Sequence, residues 1–233
     1  MSGVKNLINF FHNSDFFGQI FHTLNYCLKK ELKNCKSVLD LGCGPSSPLQ
    51  YCRGIKYSVG VEPFKPYLEE SKRKKIHTEY ISEKMEAVSF PDNSFDAVIM
   101  VEVLEHLPKK VGYEILKRAE KWAKEKVIIS TPNGYFPMGK VDQNCWQRHF
   151  SGWLAENFKK LGYKCFGLAG LKFFYYDRNK VVSLVSNDND NSSNLRFKPK
   201  NLFFVINSFF QIFNYYFPKF SFELLAVKKL KNV

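Results

Sequence analysis

The stretch Ser37-Val-Leu-Asp-Leu-Gly-Cys-Gly-Pro45 constrains this chain more than any other part of it. A short apolar run ends in an acid, then in two glycines around one small residue, then in a proline. The pattern predicts a buried strand running into a tight turn. Glycine is needed where the backbone takes positive φ or must approach a ligand closely, because no Cβ stands in the way. A ligand is therefore expected to lie on Gly42 and Gly44.

The residues beyond Pro45 extend this arrangement. Ser46-Ser-Pro48 offers an N-cap hydroxyl and a proline suited to a first helical turn, so a helix is expected beside the glycine turn. The next apolar run, residues 57–61, ends at Glu62, 22 positions after Asp40. Residues 77–81, 95–101 and 126–131 read as further strands, with helical patterns over 64–75 and 109–124. This alternation predicts an α/β fold: a mostly parallel sheet, helices on both faces, and a ligand at the carboxyl ends of the strands.

The flanks are simpler. Phe17, Ile20, Phe21, Leu24, Leu28 and Leu32 fall at helical spacing, which predicts a lead-in helix within residues 1–34. Ser151 is placed to cap a helix running to about residue 161, and a short strand is expected over 163–168. The polar stretch 186–194 reads as a mobile loop, part of an insertion at about 171–218. Residues 201–217 are intensely aromatic but hold three Asn and one Gln, too short and polar to span a membrane. An interfacial helix beside Arg196, Lys198 and Lys200 is one reading, packing on the core another. Residues 222–227 complete the sheet, within one domain over 35–233.

Charge and cysteines bound the partners. Residues 1–105 hold 13 Lys and Arg against 13 Asp and Glu, whereas 106–233 hold 22 against 9, so the whole excess of the net +13 lies in the second part. Such a surface attracts nucleic acid, an anionic membrane or a phosphorylated substrate, or simply serves solubility. The six cysteines form no C-x-x-C pair or zinc spacing, and the start lacks a signal-peptide pattern. A cytoplasmic protein with reduced thiols and no structural metal is expected.

Asp40 and Glu62 define the ligand. A carboxylate at the tip of the second strand can accept both hydroxyls of a ribose. A dinucleotide turn would read G-x-G-x-x-G, but the third glycine position is Ser47, and Asp40 would repel a pyrophosphate. A cationic nucleoside suits the site better.

Together with these residues, Val59-Gly-Val-Glu62, Phe90-Pro-Asp-Asn-Ser-Phe-Asp96, Val103-Leu-Glu-His-Leu-Pro108 and Ser130-Thr-Pro-Asn-Gly134 make residues 35–170 resemble a class I S-adenosylmethionine-dependent methyltransferase. The resemblance is to the broad methyltransferase domain 11 group and its ubiquinone-biosynthesis O-methyltransferase relatives. It implies a Rossmann-like sheet of seven strands with the last antiparallel, and S-adenosylmethionine as cofactor. It also implies that Asp40, Gly42, Cys43 and Gly44 line the methionine part and Glu62 the ribose. Glu83, Lys84 and Met85 would stand around the adenine, with Val101 at the end of the fourth strand. In many relatives the acid that binds the adenine amine sits just before the Phe-Pro motif, and Ser82-Glu-Lys-Met-Glu86 departs from that pattern.

Methyl transfer needs alignment of the acceptor and removal of its proton. His106, Glu105 and His149 are the candidate catalytic groups, and Arg148 and Trp153 the candidate substrate contacts. Trp153 reads equally as a core anchor. Glu102-x-x-Glu105-His106 also resembles a cluster that holds a magnesium-type ion in some O-methyltransferases, with His149 as a further ligand. The same acids can instead cap the following helix, and a metal-free site is the reading adopted. The expected activity is methylation of an oxygen, less readily a nitrogen, of a small or lipid-linked acceptor, with peripheral membrane contact an option for the aromatic segment. Alternatives are an RNA methyltransferase using the basic half, an NAD(P)-dependent oxidoreductase, and a non-catalytic cofactor-binding protein.

Overall fold

A computed structural model describes residues 14–138, 143–175 and 196–230. Its sheet has the order β3-β2-β1-β4-β5-β7-β6. The strands are β1 Ser37–Leu41, β2 Tyr57–Val61, β3 Glu79–Ile81, β4 Phe95–Val101, β5 Ala123–Pro132, β6 Lys164–Leu171 and β7 Ser221–Lys229. Only β7 runs against its neighbours, β5 and β6. The seven-stranded, mostly parallel sheet with its reversed last strand is therefore present.

Parallel strands buried on both faces read as continuous apolar runs, and β1 and β4 do so. Alternate side chains feed two cores. Leu39, Leu41, Val98, Met100 and Ile129 pack with Ile115, Leu116 and Trp122 of α4, which spans Lys109–Trp122 once α1 Asp15–Phe21, α2 Leu24–Leu32 and α3 Lys65–Arg73 are counted. Val38, Ala97, Ile99 and Ile128 point the other way, onto Leu28 and Leu32 of α2. Two further helices, α5 Ala155–Lys159 and α6 Lys200–Tyr216, flank β6 and β7.

Three local expectations are corrected. The lead-in is two helices, because His22 takes a left-handed conformation (φ 49°) and Thr23 caps the second. The helix beside the glycine turn is a single 3-10 turn, Pro48–Tyr51, capped by Ser47. The chain must return at once to β2, where Lys56 N and Tyr57 N donate to Lys36 O (2.8 and 3.0 Å). Ser151 does not cap α5. Asn157 Oδ1 does so by accepting from Leu154 N (2.9 Å), while the Ser151 hydroxyl turns inward to Leu104 O (3.1 Å). The loop expected at 186–194 lies outside the described residues, and the aromatic segment forms α6 between β6 and β7. No described helix is long and apolar enough to cross a membrane.

Candidate active site

The glycine turn folds over the tip of β2: Gly42 N and Cys43 N donate to Val61 O (2.8 and 3.0 Å). Gly42 has φ +74°, and a Cβ there would stand 2.6 Å from a Val103 methyl. Gly44 has φ +56° and open space where its Cβ would be. One glycine serves packing; the other leaves the approach to the turn clear. Glu62 ties the two strand tips together, accepting from Gly44 N (3.1 Å) at Oε2 and Phe64 N (2.9 Å) at Oε1. Burial pushes its carboxyl up, opposed by those two N–H donors. An ionised carboxylate has about four lone-pair sites, so each oxygen keeps one for a ligand hydroxyl.

Asp40 is buried with two partners that local sequence does not reveal. Ser47 Oγ donates to its Oδ2, and His77 Nε2 lies 2.9 Å from the same oxygen. Both bonds converge on Oδ2, which leaves Oδ1 for a ligand. His77 reaches it from the chain just before β3, completely buried.

A cavity of about 650 Å³ lies over the strand ends. On the β1 and β2 side it is lined by Asp40, Gly42, Cys43, Gly44 and Glu62, with Lys84 and Met85 from the loop after β3. Val101, Glu105, His106 and His149 line it toward β5 and β7. Eleven of the residues singled out from sequence thus share one cavity. Glu83, Arg148 and Trp153 do not line it. Glu86 stands on the wall where Glu83 was expected. Arg148 is exposed, its guanidinium 5.3 Å from the Phe150 ring. Trp153 is fully buried: Nε1 donates to Leu104 O (3.2 Å) and Ser151 Oγ (3.0 Å), and Lys109 Nζ sits 3.6 Å from its ring. It is a core anchor and cannot stack on a substrate. Missed by sequence were the apolar wall residues Phe136, Met138, Trp146, Phe150, Tyr175 and Phe222. An aromatic in a loop carries no local sign of which cavity it will face.

Three carboxyl groups gather at the ends of β4 and β7. Glu102, at φ +54°, accepts from Ser130 Oγ (2.9 Å), and Glu105 from Thr131 Oγ1 (2.9 Å). Neither caps α4, whose N-terminus has no side-chain cap. Glu223 Oε1 is buried without a hydrogen-bond partner. Deep placement pushes Glu102 up to about 7, although its outer surface faces the cavity. Glu105 and Glu223 are driven well above the usual carboxylate range, by burial and then by repulsion from Glu102.

Beside them stand the two histidines. His106 Nδ1 lies 3.2 Å from Arg148 O and His149 Nδ1 2.6 Å from Phe136 O. A carbonyl only accepts, so each Nδ1 carries the hydrogen and each Nε2 keeps its lone pair. Burial lowers both pKa values, and His149, with His106 alongside, is brought down to about 4. Both rings are neutral at pH 7. One ligand atom each from Glu105, His106 and His149 lies within 4.8 Å of the others, a donor set that suits a divalent ion.

Comparison with known proteins agrees with this geometry. Residues 39–131 match the family model of a methyltransferase domain. A SAM-dependent methyltransferase from Archaeoglobus fulgidus is similar in structure, with TM-score 0.53 and 21% identity over 92% of this chain and 98% of that one. The methyltransferase domain of bacterial CtHen1 gives TM-score 0.51 and 17% identity, over 88% and 97% of the two chains. A chain from the complex between the Haloferax volcanii Trm112 methyltransferase activator and a methyltransferase gives TM-score 0.50 and 15% identity, over 86% of each chain. No curated protein matches by sequence. Residues 39–131 thus match a methyltransferase domain, and the chain shares the fold of S-adenosylmethionine-dependent methyltransferases.

Proposed function

We propose that this chain transfers a methyl group from S-adenosylmethionine to an oxygen, less readily a nitrogen, of a small or lipid-linked acceptor. In this reading residues 35–233 form the catalytic domain and 1–34 a lead-in. Bound in the cavity, the cofactor supplies a methyl group already activated on a sulfonium. Glu62 accepts the ribose hydroxyls, Asp40 Oδ1 faces the ammonium of the methionine part, and Lys84 and Met85 flank the adenine. Gly44 leaves room for the backbone to approach.

The observation that carries the acceptor reading is the pair of neutral imidazoles beside the aromatic wall of Phe136, Phe150 and Phe222. A hydroxyl held among Phe136, Phe150 and Phe222 has the imidazoles as its nearest bases, so its proton passes to an Nε2. His149 is the better placed base, because its ring is buried and anchored through Nδ1. Its low pKa keeps the lone pair free. His106 stands next to it, its Nε2 lone pair also free.

Calorimetric titration with S-adenosylmethionine and its demethylated product tests the cofactor; absence of binding by both would overturn the assignment. Labelled methyl transfer into a cell extract split into lipid, small-molecule, RNA and protein fractions tests the acceptor. Label in the lipid or small-molecule fraction is expected, and label confined to RNA would overturn that class.

A second reading rests on the convergence of Glu105, His106 and His149. With Glu102 nearby, these residues would hold a divalent ion, which supplies Lewis-acid activation of an acceptor oxygen. Exhaustive chelation separates the two: the base reading keeps its activity, whereas the metal reading loses it and regains it with added ion.

A further inference from the structure

Helix α6 is turned inside out. Its polar stripe, Asn207, Gln211 and Asn214, is buried, whereas Leu202, Val205, Phe209, Ile212, Phe213 and Tyr216 on the opposite face are 39–65% exposed. The cause lies in β6, the outermost strand of the sheet. Its ladder to β7 is interrupted between Leu168 and Leu171, where Ala169 and Gly170 take positive φ.

The helix supplies the missing partners. Gly170 N donates to Gln211 Oε1 (2.7 Å) and Leu171 N to Asn207 Oδ1 (2.7 Å). In return Gln211 Nε2 donates to Gly167 O (2.9 Å) and Asn207 Nδ2 to Ala169 O (3.2 Å). A Cβ at Gly170 would collide with the Asn207 side chain, and one at Gly167 with the Asn214 carbonyl. Rotating α6 to hide its phenylalanines would strip these backbone groups of their partners, which is costly for buried groups. The outward aromatic stripe is thus a fixed feature of the fold.

Helix α1 enlarges this surface. Phe21 meets Phe209 with ring centroids 5.8 Å apart, and Phe16 and Ile20 on the same helix are 76% and 40% exposed. Exposed apolar patches of this kind mark interaction sites. Along α6 the charge has one sign: residues 196–222 contain Arg196, Lys198, Lys200 and Lys219 and no Asp or Glu, and the one acid of α1, Asp15, is paired with Lys29 (2.7 Å). Arg196, Lys198 and Lys219 are exposed.

We propose that this face docks on the surface of an anionic phospholipid bilayer, with α6 lying in the plane of the interface. Aromatics enter the acyl boundary while the flanking cations meet lipid phosphates. A second copy of the chain fits less well, because a symmetric pairing would set cations against cations. The docked face also adjoins the cavity. Phe174 packs on Phe203 and Phe210 of α6, and the next residue, Tyr175, stacks on Phe222 (3.8 Å) in the cavity wall. Entry of an acceptor from the lipid side rests on the activity proposed above; the docking itself does not.

The test uses the full chain, without cofactor or acceptor, sedimented with vesicles of equal parts phosphatidylglycerol and phosphatidylcholine or of phosphatidylcholine alone. Co-sedimentation with the anionic vesicles is expected, falling about tenfold on neutral vesicles or in high salt. The double substitution Val205→Asn and Phe213→Asn should lower partitioning about tenfold or more, with the thermal melt and S-adenosylmethionine affinity unchanged. Lys198→Glu with Lys219→Glu should remove the preference for anionic lipid. Absence of co-sedimentation, or binding undiminished in the double variant, would overturn the proposal. A concentration-dependent dimer that the same double substitution dissolves would overturn it in favour of a self-interface. No methyl transfer is read, so docking and activity can fail separately.

Discussion

His106 and His149 face each other across the cavity wall, ring centroids 4.8 Å apart and steeply inclined, each anchored through Nδ1 to a backbone carbonyl. If His149 is the base, His149→Ala should lower kcat by about 10²–10⁴, the usual range for removing a general base. S-adenosylmethionine affinity should not change. Because burial brings this histidine down to about 4, the acid limb of kcat/KM should lie below the ordinary histidine range. A limb at the usual value near 6.5 would exclude His149.

The acids at the ends of β4 and β7 predict how stability varies with pH. In the folded chain Glu102 titrates near 7 and Glu105 and Glu223 above the ordinary carboxylate range, so they keep protons that the unfolded chain releases above about 4.5. Their contribution is complete below the unfolded value and is lost as pH rises through the folded one. His149 acts oppositely, with stability lost as pH falls from about 6.5 toward 4. Above pH 6.5 the three acids are opposed, among the described residues, only by Lys109, which burial brings down to about 8 and whose contribution is lost as pH falls rather than rises. The melting temperature of the free protein should therefore drop between pH 6.5 and 8, and Glu223→Gln should flatten that slope.

The two turn glycines should respond differently to alanine. Gly42→Ala adds left-handed strain and a clash with Val103, so both folding and cofactor binding should suffer, by roughly 2–4 kcal/mol in stability. Gly44→Ala meets no atom and should cost about 1–2 kcal/mol from its backbone alone. If the cofactor lies on the turn, Gly44→Ala should still weaken its binding at least about tenfold through close approach. Chemical unfolding beside calorimetry separates the two effects.

Trp153 should behave as a core residue. Trp153→Ala removes a fully buried ring and should destabilise the protein by about 3–5 kcal/mol in denaturant unfolding. Trp153→Phe keeps most of the packing but leaves Leu104 O without its indole donor, at a cost of about 1–2 kcal/mol. An acceptor KM that rose in Trp153→Phe with stability intact would instead return this residue to the substrate site.

Much of the β1 and β2 side of the cavity is legible in the sequence because its determinants are local. Gly42 and Gly44 are required by the φ values of one turn, and Asp40 and Glu62 sit at the ends of short apolar runs whose parallel pairing is set by strand and helix alternation. The loop after β3 has no such periodicity, and there Glu86 took the wall position expected of Glu83. Trp153 shows a different gap: an indole with an N–H suits a buried hydrogen bond and a stacking platform equally well, and only its neighbours decide.

The sequence by itself determined the class of fold, the ends of the strands and the acids and glycines of the turn, since strand period and turn chemistry act over a few residues. Tertiary structure decided what meets across long separations. His77 reaches Asp40, Glu223 joins Glu102, and Phe222 closes the cavity with Tyr175, pairings that no local pattern encodes. It also decided which face of α6 is buried. The helical period shows one polar and one aromatic stripe, and burial of the aromatic one would be the natural reading. The unpaired backbone of β6 claimed the polar stripe instead, because a buried amide without a partner costs more than a phenylalanine left outside.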